Sequence, residues 1–399
     1  MLTPAEAQDL IGRNLTALPT ESMPLQQCAG AVLRENIYAE RDQPPFDRVA
    51  MDGIALKSRD VGARVRAFRI QGMQPAGDAP QTLEATGACI EVMTGAVLPI
   101  GCDAVIPVEQ ISIRGAEAHL AAEFPVEPWQ NVHRRATDTR QGALVLGAGV
   151  RLDAPEIAIA ASAGMAHIQV ASQPAVAVIS TGNELIEPGE PVLPHQVRRS
   201  NAYAIVAALK RQGFGRVADD HVRDDLQALS TRLAFHLDTH DVLVLSGGVS
   251  MGRLDLVPQA LADLKVRTVF HKVAQRPGLP LWFGVASNGA AVFALPGNPV
   301  STLVCVARYV VPAIFTMMGA AARVPEKIAL GAPVTVRQPL AFFMPVRIEI
   351  DDSGKPWAMP RPTNGSGDFT ALAGTDGFVE LPPGPTTYSK EFVTRLHRW

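Results

Sequence analysis

The chain has 399 residues, a formal net charge of −3, and 47% hydrophobic against 19% charged residues. That balance excludes an intrinsically disordered chain and gives no global positive field for nucleic acid or an anionic membrane. Its 33 glycines and 32 prolines are scattered between apolar runs, which excludes collagen and a plain helical bundle and points to many special loops on a rigid scaffold.

In chain order, Thr3-Pro4-Ala5-Glu6 reads as a helix start with a capping box, so residues 3–18 are expected to be helical and not an export signal. Short β runs at 65–71, 89–93, 104–108 and 111–114, cut by turns, predict a β-rich lid domain over 45–139. A helical stretch at 155–164 and a strand at 168–170 are expected to pack back on the N-terminal helix, making a discontinuous helical and linking domain of 1–44 plus 140–173. From 174 to 325 apolar strands (175–180, 216–220, 241–246, 290–295) alternate with helices, the pattern of a parallel sheet covered on both faces. Beyond 325 the pattern is all-β, and residues 326–399 predict a small C-terminal β-barrel. The fold class is therefore α/β with additional β domains: a central three-layer α/β domain with a parallel sheet, a β-rich lid and a terminal barrel. The apolar stretch 300–324 is long enough to span a membrane, but Arg308 and Pro312 interrupt it and it reads as a buried helix. Cys28, Cys89, Cys102 and Cys305 lie far apart, which excludes a disulfide scaffold and a cysteine zinc site and suits a cytoplasmic protein.

Ligands of an open α/β sheet bind beyond the carboxyl ends of its strands. Three such ends run into Ser180-Thr181-Gly182-Asn183-Glu184, Ser246-Gly247-Gly248-Val249-Ser250 and Pro296-Gly297-Asn298-Pro299-Val300-Ser301. Their glycines let backbone amides approach an anion, and the following helix starts add partial positive charge. Neither a Walker loop nor a GxGxxG fingerprint is present. Glu184, Asp224 and Asp255 are expected at the same edge, where one or two carboxylates beside phosphate loops are how Mg²⁺ is held. Lys272 and Arg276 are the nearest cations. In the β-rich region Asp52, Thr94 and Asp138 lie at turns. His236 and His240 close a helix and read as a favourable helix C-terminus rather than a zinc site.

Met51-Asp52-Gly53, Met93-Thr94-Gly95-Ala96, Ser180-Thr181-Gly182-Asn183-Glu184-Leu185, the 246–252 loop and Leu295-Pro296-Gly297-Asn298-Pro299 occur in one order along nearly the whole chain. This order resembles the molybdopterin molybdenumtransferase family, related to the C-terminal part of gephyrin. The resemblance implies a transferase that inserts molybdenum from molybdate into adenylylated molybdopterin and releases AMP, with a divalent metal. It also implies a homodimer whose site is shared between subunits, and molybdopterin adenylyltransferase and molybdoenzyme partners. The site residues it implies are Asp52, Thr94, Asp138, Glu184, Asp224 and Asp255, with Lys272, Arg276, Pro296, Pro299, Ser301 and Ser366 along the substrate loops. Asp52 is expected to polarise water or metal for phosphoanhydride cleavage. Leu279 stands where the family usually has lysine, Thr137 where it has an acid, Glu91 where a basic residue is common and Arg253 where an acid is common. Two other readings fit parts of the pattern: a molybdopterin adenylyltransferase, which leaves the extra domains unexplained, and a non-catalytic gephyrin-like scaffold.

Overall fold

The computed structural model describes residues 1–62, 65–249, 256–384 and 386–399. At its centre is a six-stranded sheet in the order Val217–Val222, Val176–Thr181, Val242–Ser246, Ala291–Leu295, Trp282–Val285, Arg267–His271. The first four strands are mutually parallel and the last two join antiparallel, an extension that the strand–helix alternation did not signal. Alternate residues of the parallel strands enter two cores. Val176, Val178, Val242, Val244 and Phe293 face one side, and Ala177, Ile179, Leu243, Leu245 and Val292 face the other. Burial on both faces is why these strands read as unbroken apolar runs.

Helices Ser200–Arg211 and Pro299–Met317 cover the first side, and Leu226–Thr239 and Leu256–Asp263 the second. The Pro299–Met317 helix has a mean hydropathy of 1.7, and 67% of its apolar window is buried in the protein, as the sequence reading expected of a core helix. Its middle turn, Val306–Val310, is π-helical.

The N-terminal helix Pro4–Asn14 starts at the expected Thr3–Glu6 capping box. It does not pack on the Ala154–Ser162 helix as expected: its buried residues Ala7 and Ile11 join the core beneath the central sheet. An amphipathic pattern specifies a face to be covered but not what covers it. Helix Ala154–Ser162 instead closes a separate core of Leu25, Leu33, Ile37, Leu146, Leu152, Ile168 and Val170, and strand Thr20–Pro24 pairs with His167–Ala171. Two chain segments far apart in sequence therefore build one small unit.

Between those segments lies a second six-stranded sheet, ordered Ala104–Pro107, Gly53–Leu56, Ala88–Val92, Ala67–Gln74, Glu117–Leu120, Ile111–Arg114. Gly53 is required there, because a Cβ would stand 1.9 Å from the Ile106 carbonyl oxygen. At the other end of the chain, Ala341–Ile350, Pro356–Pro360, Lys327–Leu330, Val393–Arg398 and Gly377–Leu381 pair in that order, and the last returns to Ala341–Ile350 to close a five-stranded barrel. Its outer face packs on the central unit through Phe343 and Phe378 against Val300 and Val304. The two-residue strand Gln275–Arg276 adds in parallel to the barrel at Ala341 and Phe342.

Candidate functional site

Parallel register brings Thr181 beside Val222, and Ser180 beside Ser246, which in turn stands beside Leu295, so the loops after all four strands leave the same sheet edge. The chain steps from Val176–Thr181 outward to Val217–Val222 and then back across to Val242–Ser246, so the strand order reverses beside Thr181. A crevice opens at such a switch point. Gly247 and Gly248, both at positive φ, press against it: a Cβ on Gly247 would stand 2.7 Å from the Thr181 carbonyl oxygen, and one on Gly248 would stand 2.9 Å from Thr181 Oγ1. Side chains at these two positions would fill the crevice floor.

The carboxylates at this edge are anchored locally. Asp224 accepts from the Asn183 N–H at 3.3 Å, while Asn183 Oδ1 accepts from the Asp224 N–H at 3.2 Å, which ties the two loops together. The Glu184 carboxylate folds over Gly182, where a Cβ would approach it to 2.7 Å. Ser180 Oγ and Thr181 Oγ1 are buried at the strand end with no hydrogen-bond partner among the described residues. The exposed Glu184 and Asp224 carboxylates and the Ser180 and Thr181 hydroxyls at this strand edge offer oxygen donors, the chemistry that suits Mg²⁺. Among the described residues no group of three or more His, Cys, Asp or Glu converges as a metal cage, and Mg²⁺ does not need one when a phosphate supplies further oxygens. Asp255 and Ser250, and the departure at Arg253, lie outside the described residues.

A neighbouring cleft of about 650 Å³ lies between this edge and the barrel. Of the predicted residues, Arg276, Pro296, Asn298, Ser301 and Ser366 line it, whereas Lys272 and Pro299 do not. The barrel adds Arg337, and no carboxylate is among the lining residues. Leu279, where the family usually has lysine, presents an apolar surface there. Ser366 is already engaged: its Oγ accepts from Asn298 Nδ2 at 2.7 Å and its carbonyl accepts from the Val300 N–H at 3.0 Å. Lys272 sits at the carboxyl end of its strand with φ 78°, a left-handed conformation uncommon for a side chain of this kind. Crevice and cleft are contiguous. Asn201 Nδ2 donates both to Ser246 Oγ at 2.9 Å and to the Gly297 carbonyl at 2.7 Å, and a Cβ on Gly297 would touch Gly247.

Asp52, Thr94 and Asp138 belong to the β-rich unit. The Thr94 N–H and hydroxyl both donate to Asp52 Oδ1, at 2.6 and 2.7 Å, and this pair of bonds, the backbone one first, holds the Asp52 carboxyl below its ordinary value. Asp138 is hydrogen-bonded at 2.9 Å to His133 Nε2, and Arg48 donates to His133 Nδ1 at 3.1 Å. No hydrogen bond or ion pair among the described residues joins the Asp52–Thr94 turn to the crevice loops of the same chain.

The sequence reading missed Arg337, Asn201 and His133. His133 was masked by the adjacent Arg134-Arg135, and Arg337 sits in no motif. It also assigned His236 to a helix-terminal role. The structure places His236 in the last turn of its helix as expected, and adds that it is buried with its Nε2 at 2.8 Å from Asp220 Oδ2. Burial raises the Asp220 carboxyl, but the bonds from His236 and Arg232 outweigh it and the net shift is downward.

Models of three regions match the chain: the MoeA N-terminal region (domains I and II) over residues 2–164, the probable molybdopterin binding domain over 177–316, and the MoeA C-terminal region (domain IV) over 327–390. A molybdopterin molybdenumtransferase from Synechocystis is 34% identical over 400 residues, covering 100% of both chains. One from Staphylococcus aureus is 30% identical over 95% of this chain and 91% of its own. The solved structure of a molybdopterin biosynthesis moeA protein from Pyrococcus horikoshii covers 100% of both chains with a TM-score of 0.83 at 26% identity. With its ordered glycine loops, carboxylate crevice, lid and closed barrel, the chain belongs to the molybdopterin molybdenumtransferase family.

Proposed function

We propose that the protein inserts molybdenum from molybdate into adenylylated molybdopterin with release of AMP. The observation that carries this reading is the contiguity of two unlike hollows, a glycine-floored crevice rimmed by Glu184 and Asp224 and a carboxylate-free cleft bearing Arg276 and Arg337.

The pyrophosphate of the adenylylated substrate lies over the Ser246-Gly247-Gly248 loop, whose backbone amides and the absence of Cβ atoms suit a close-packed anion. Glu184 and Asp224, with Asp255, hold Mg²⁺. Held there, the cation would supply positive charge to offset that of the pyrophosphate and of the departing AMP. Molybdate occupies the cleft, where the Arg276 and Arg337 guanidiniums donate charge-assisted hydrogen bonds to its oxygens and Ser301 and Ser366 orient it. Asn201, bonded to both loops, fixes the separation between anhydride and oxyanion. Since Thr94 keeps Asp52 ionised and a weak base, Asp52 acts as a fixed negative charge that orients water or metal rather than as a proton acceptor tuned to neutral pH. That no bond among the described residues joins it to its own crevice supports a homodimer in which Asp52, Thr94 and Asp138 serve the crevice of the partner subunit. Molybdopterin adenylyltransferases supply the substrate, and molybdoenzymes receive the product. Four buried free cysteines suit a cytoplasmic setting.

Purified protein incubated with adenylylated molybdopterin, Mg²⁺ and molybdate is expected to release AMP and yield cofactor that activates a molybdoenzyme apoprotein. AMP release that does not depend on molybdate, or pyrophosphate formation from ATP and molybdopterin, would overturn the reading.

A further inference from the structure

Arg276 stands exposed in the cleft, and the residue before it, Gln275, is wholly buried on the opposite side of the same two-residue strand. The Gln275 side chain is fully bonded. Its Oε1 accepts from the Tyr309 hydroxyl, and its Nε2 donates to the Pro277 carbonyl at 3.2 Å and to Cys305 Sγ at 3.7 Å. The Cys305 thiol in turn points at the Gly278 carbonyl, 3.9 Å away. The 276–278 turn lies directly on this group, since a Cβ on Gly278 would stand 2.5 Å from Gln275 Nε2 and 2.8 Å from Cys305 Sγ. Burial raises the Tyr309 phenol and pushes the Cys305 thiol up to about 12, so both stay protonated donors.

Tyr309 comes from the π-helical turn Val306–Val310, and the preceding residue, Arg308, reaches the barrel. Arg308 Nε donates to Glu380 of the barrel at 3.2 Å, and its Nη1 donates to Gln8 of the N-terminal helix. Consecutive residues of one turn therefore tie the Arg276 loop and the barrel to the same helix. π-turns inside α-helices are rare and gather at functional positions. An apolar pair of similar size would fill the space around Gln275 and Tyr309 but leave the Pro277 carbonyl without its Gln275 donor. The hydrogen-bonded pair does something an apolar pair cannot: it fixes the Pro277 carbonyl, and with it the direction in which Arg276 leaves the strand.

We infer that Gln275 and Tyr309 are positioning residues for the oxyanion, Tyr309 acting through Gln275 to aim the Arg276 guanidinium into the cleft. The inference rests on the molybdate reading of that cleft. Removing only the hydroxyl (Tyr309→Phe) or only the amide (Gln275→Met) is expected to raise the KM for molybdate about tenfold, with the KM for adenylylated molybdopterin unchanged, as small misplacements do. The double variant Gln275→Met/Tyr309→Phe removes both halves of the pair, so its melting temperature should recover toward wild type while its molybdate KM stays raised. A double variant that recovers both would reduce the pair to a stabilising role and overturn the inference. So would single variants that fold and keep the wild-type molybdate KM. Wild-type protein whose AMP release ignores molybdate, or an Arg276→Ala protein with unchanged molybdate KM, would instead remove the reading beneath it.

Discussion

The crevice and the cleft share one sheet edge and one loop, yet they are built from opposite charge. In the crevice the exposed side chains are the carboxylates Glu184 and Asp224, and positive character comes from backbone amides over Gly247 and Gly248. In the cleft it is reversed: Arg276 and Arg337 project from two different units, and no carboxylate is among the described residues lining it. A chain of net charge −3 has no global field to gather an oxyanion, so it has to sort its charge over short distances. On the proposed reading, the protein supplies acids where the ligand brings its own cation and guanidiniums where the ligand is a bare anion.

The sharpest break of that division is Asp224→Asn, which keeps an acceptor for the Asn183 N–H and removes only the charge. We expect kcat for AMP release to fall by roughly a hundredfold to a thousandfold, with molybdate KM little changed, as when a preorganised charge is lost from a transition state. An equal loss in molybdate KM would show that the two hollows do not divide the labour. The complementary variant, Arg337→Ala, is expected to raise molybdate KM by about ten- to a hundredfold, the worth of one charge-assisted hydrogen bond, and to leave the nucleotide KM alone. Steady-state kinetics with each substrate varied separately checks both.

The division was only half legible in the sequence. The crevice could be read because two of its loops directly follow doubly buried apolar strands, so Ser246-Gly247-Gly248 and Glu184 announce themselves by local order alone. The cleft could not. Its second wall is made by residues near 337 meeting the 276–280 turn, a juxtaposition set by the barrel closing on Phe343 and Phe378 and by strand Gln275–Arg276 joining it. No periodicity encodes such a meeting. Lys272 illustrates the cost: it was paired with Arg276 by proximity in sequence, yet the strand end turns it away from the cleft lining. The N-terminal helix was legible as a helix and illegible as a neighbour for the same reason.

The barrel wall carries a weaker, pH-dependent test. His397 stacks on Phe378 at 5.0 Å between ring centres and is hydrogen-bonded to Glu380, the partner of Arg308. Burial lowers the His397 pKa from its ordinary 6.5, more than the Glu380 bond raises it. A group whose pKa is depressed on folding stabilises the fold above its unfolded value, and that contribution is lost as pH falls below it. Stability in urea is therefore expected to decline from about pH 6.5 downward by at most about 1.4 kcal/mol per pH unit from this group. His397→Phe should flatten that slope. An unchanged slope would mean that this side of the barrel is not pinned by a neutral histidine.

The smallest expected effect concerns the third group of acids, which lies in neither hollow. Asp52 is fully exposed, so its depressed pKa owes nothing to burial and depends on the Thr94 N–H and hydroxyl. Thr94→Val keeps the backbone donor and removes the hydroxyl, so the Asp52 carboxyl should move part of the way back toward 3.8, read by NMR titration of its side-chain carbon. An acid limb of the rate profile set by Asp52 is expected below the ordinary carboxylate range in wild type and at higher pH in Thr94→Val. A shift of the titration without a shift of the limb would separate Asp52 from the rate. A shift of both would attach it to the crevice chemistry and to the acids, not to the oxyanion cleft.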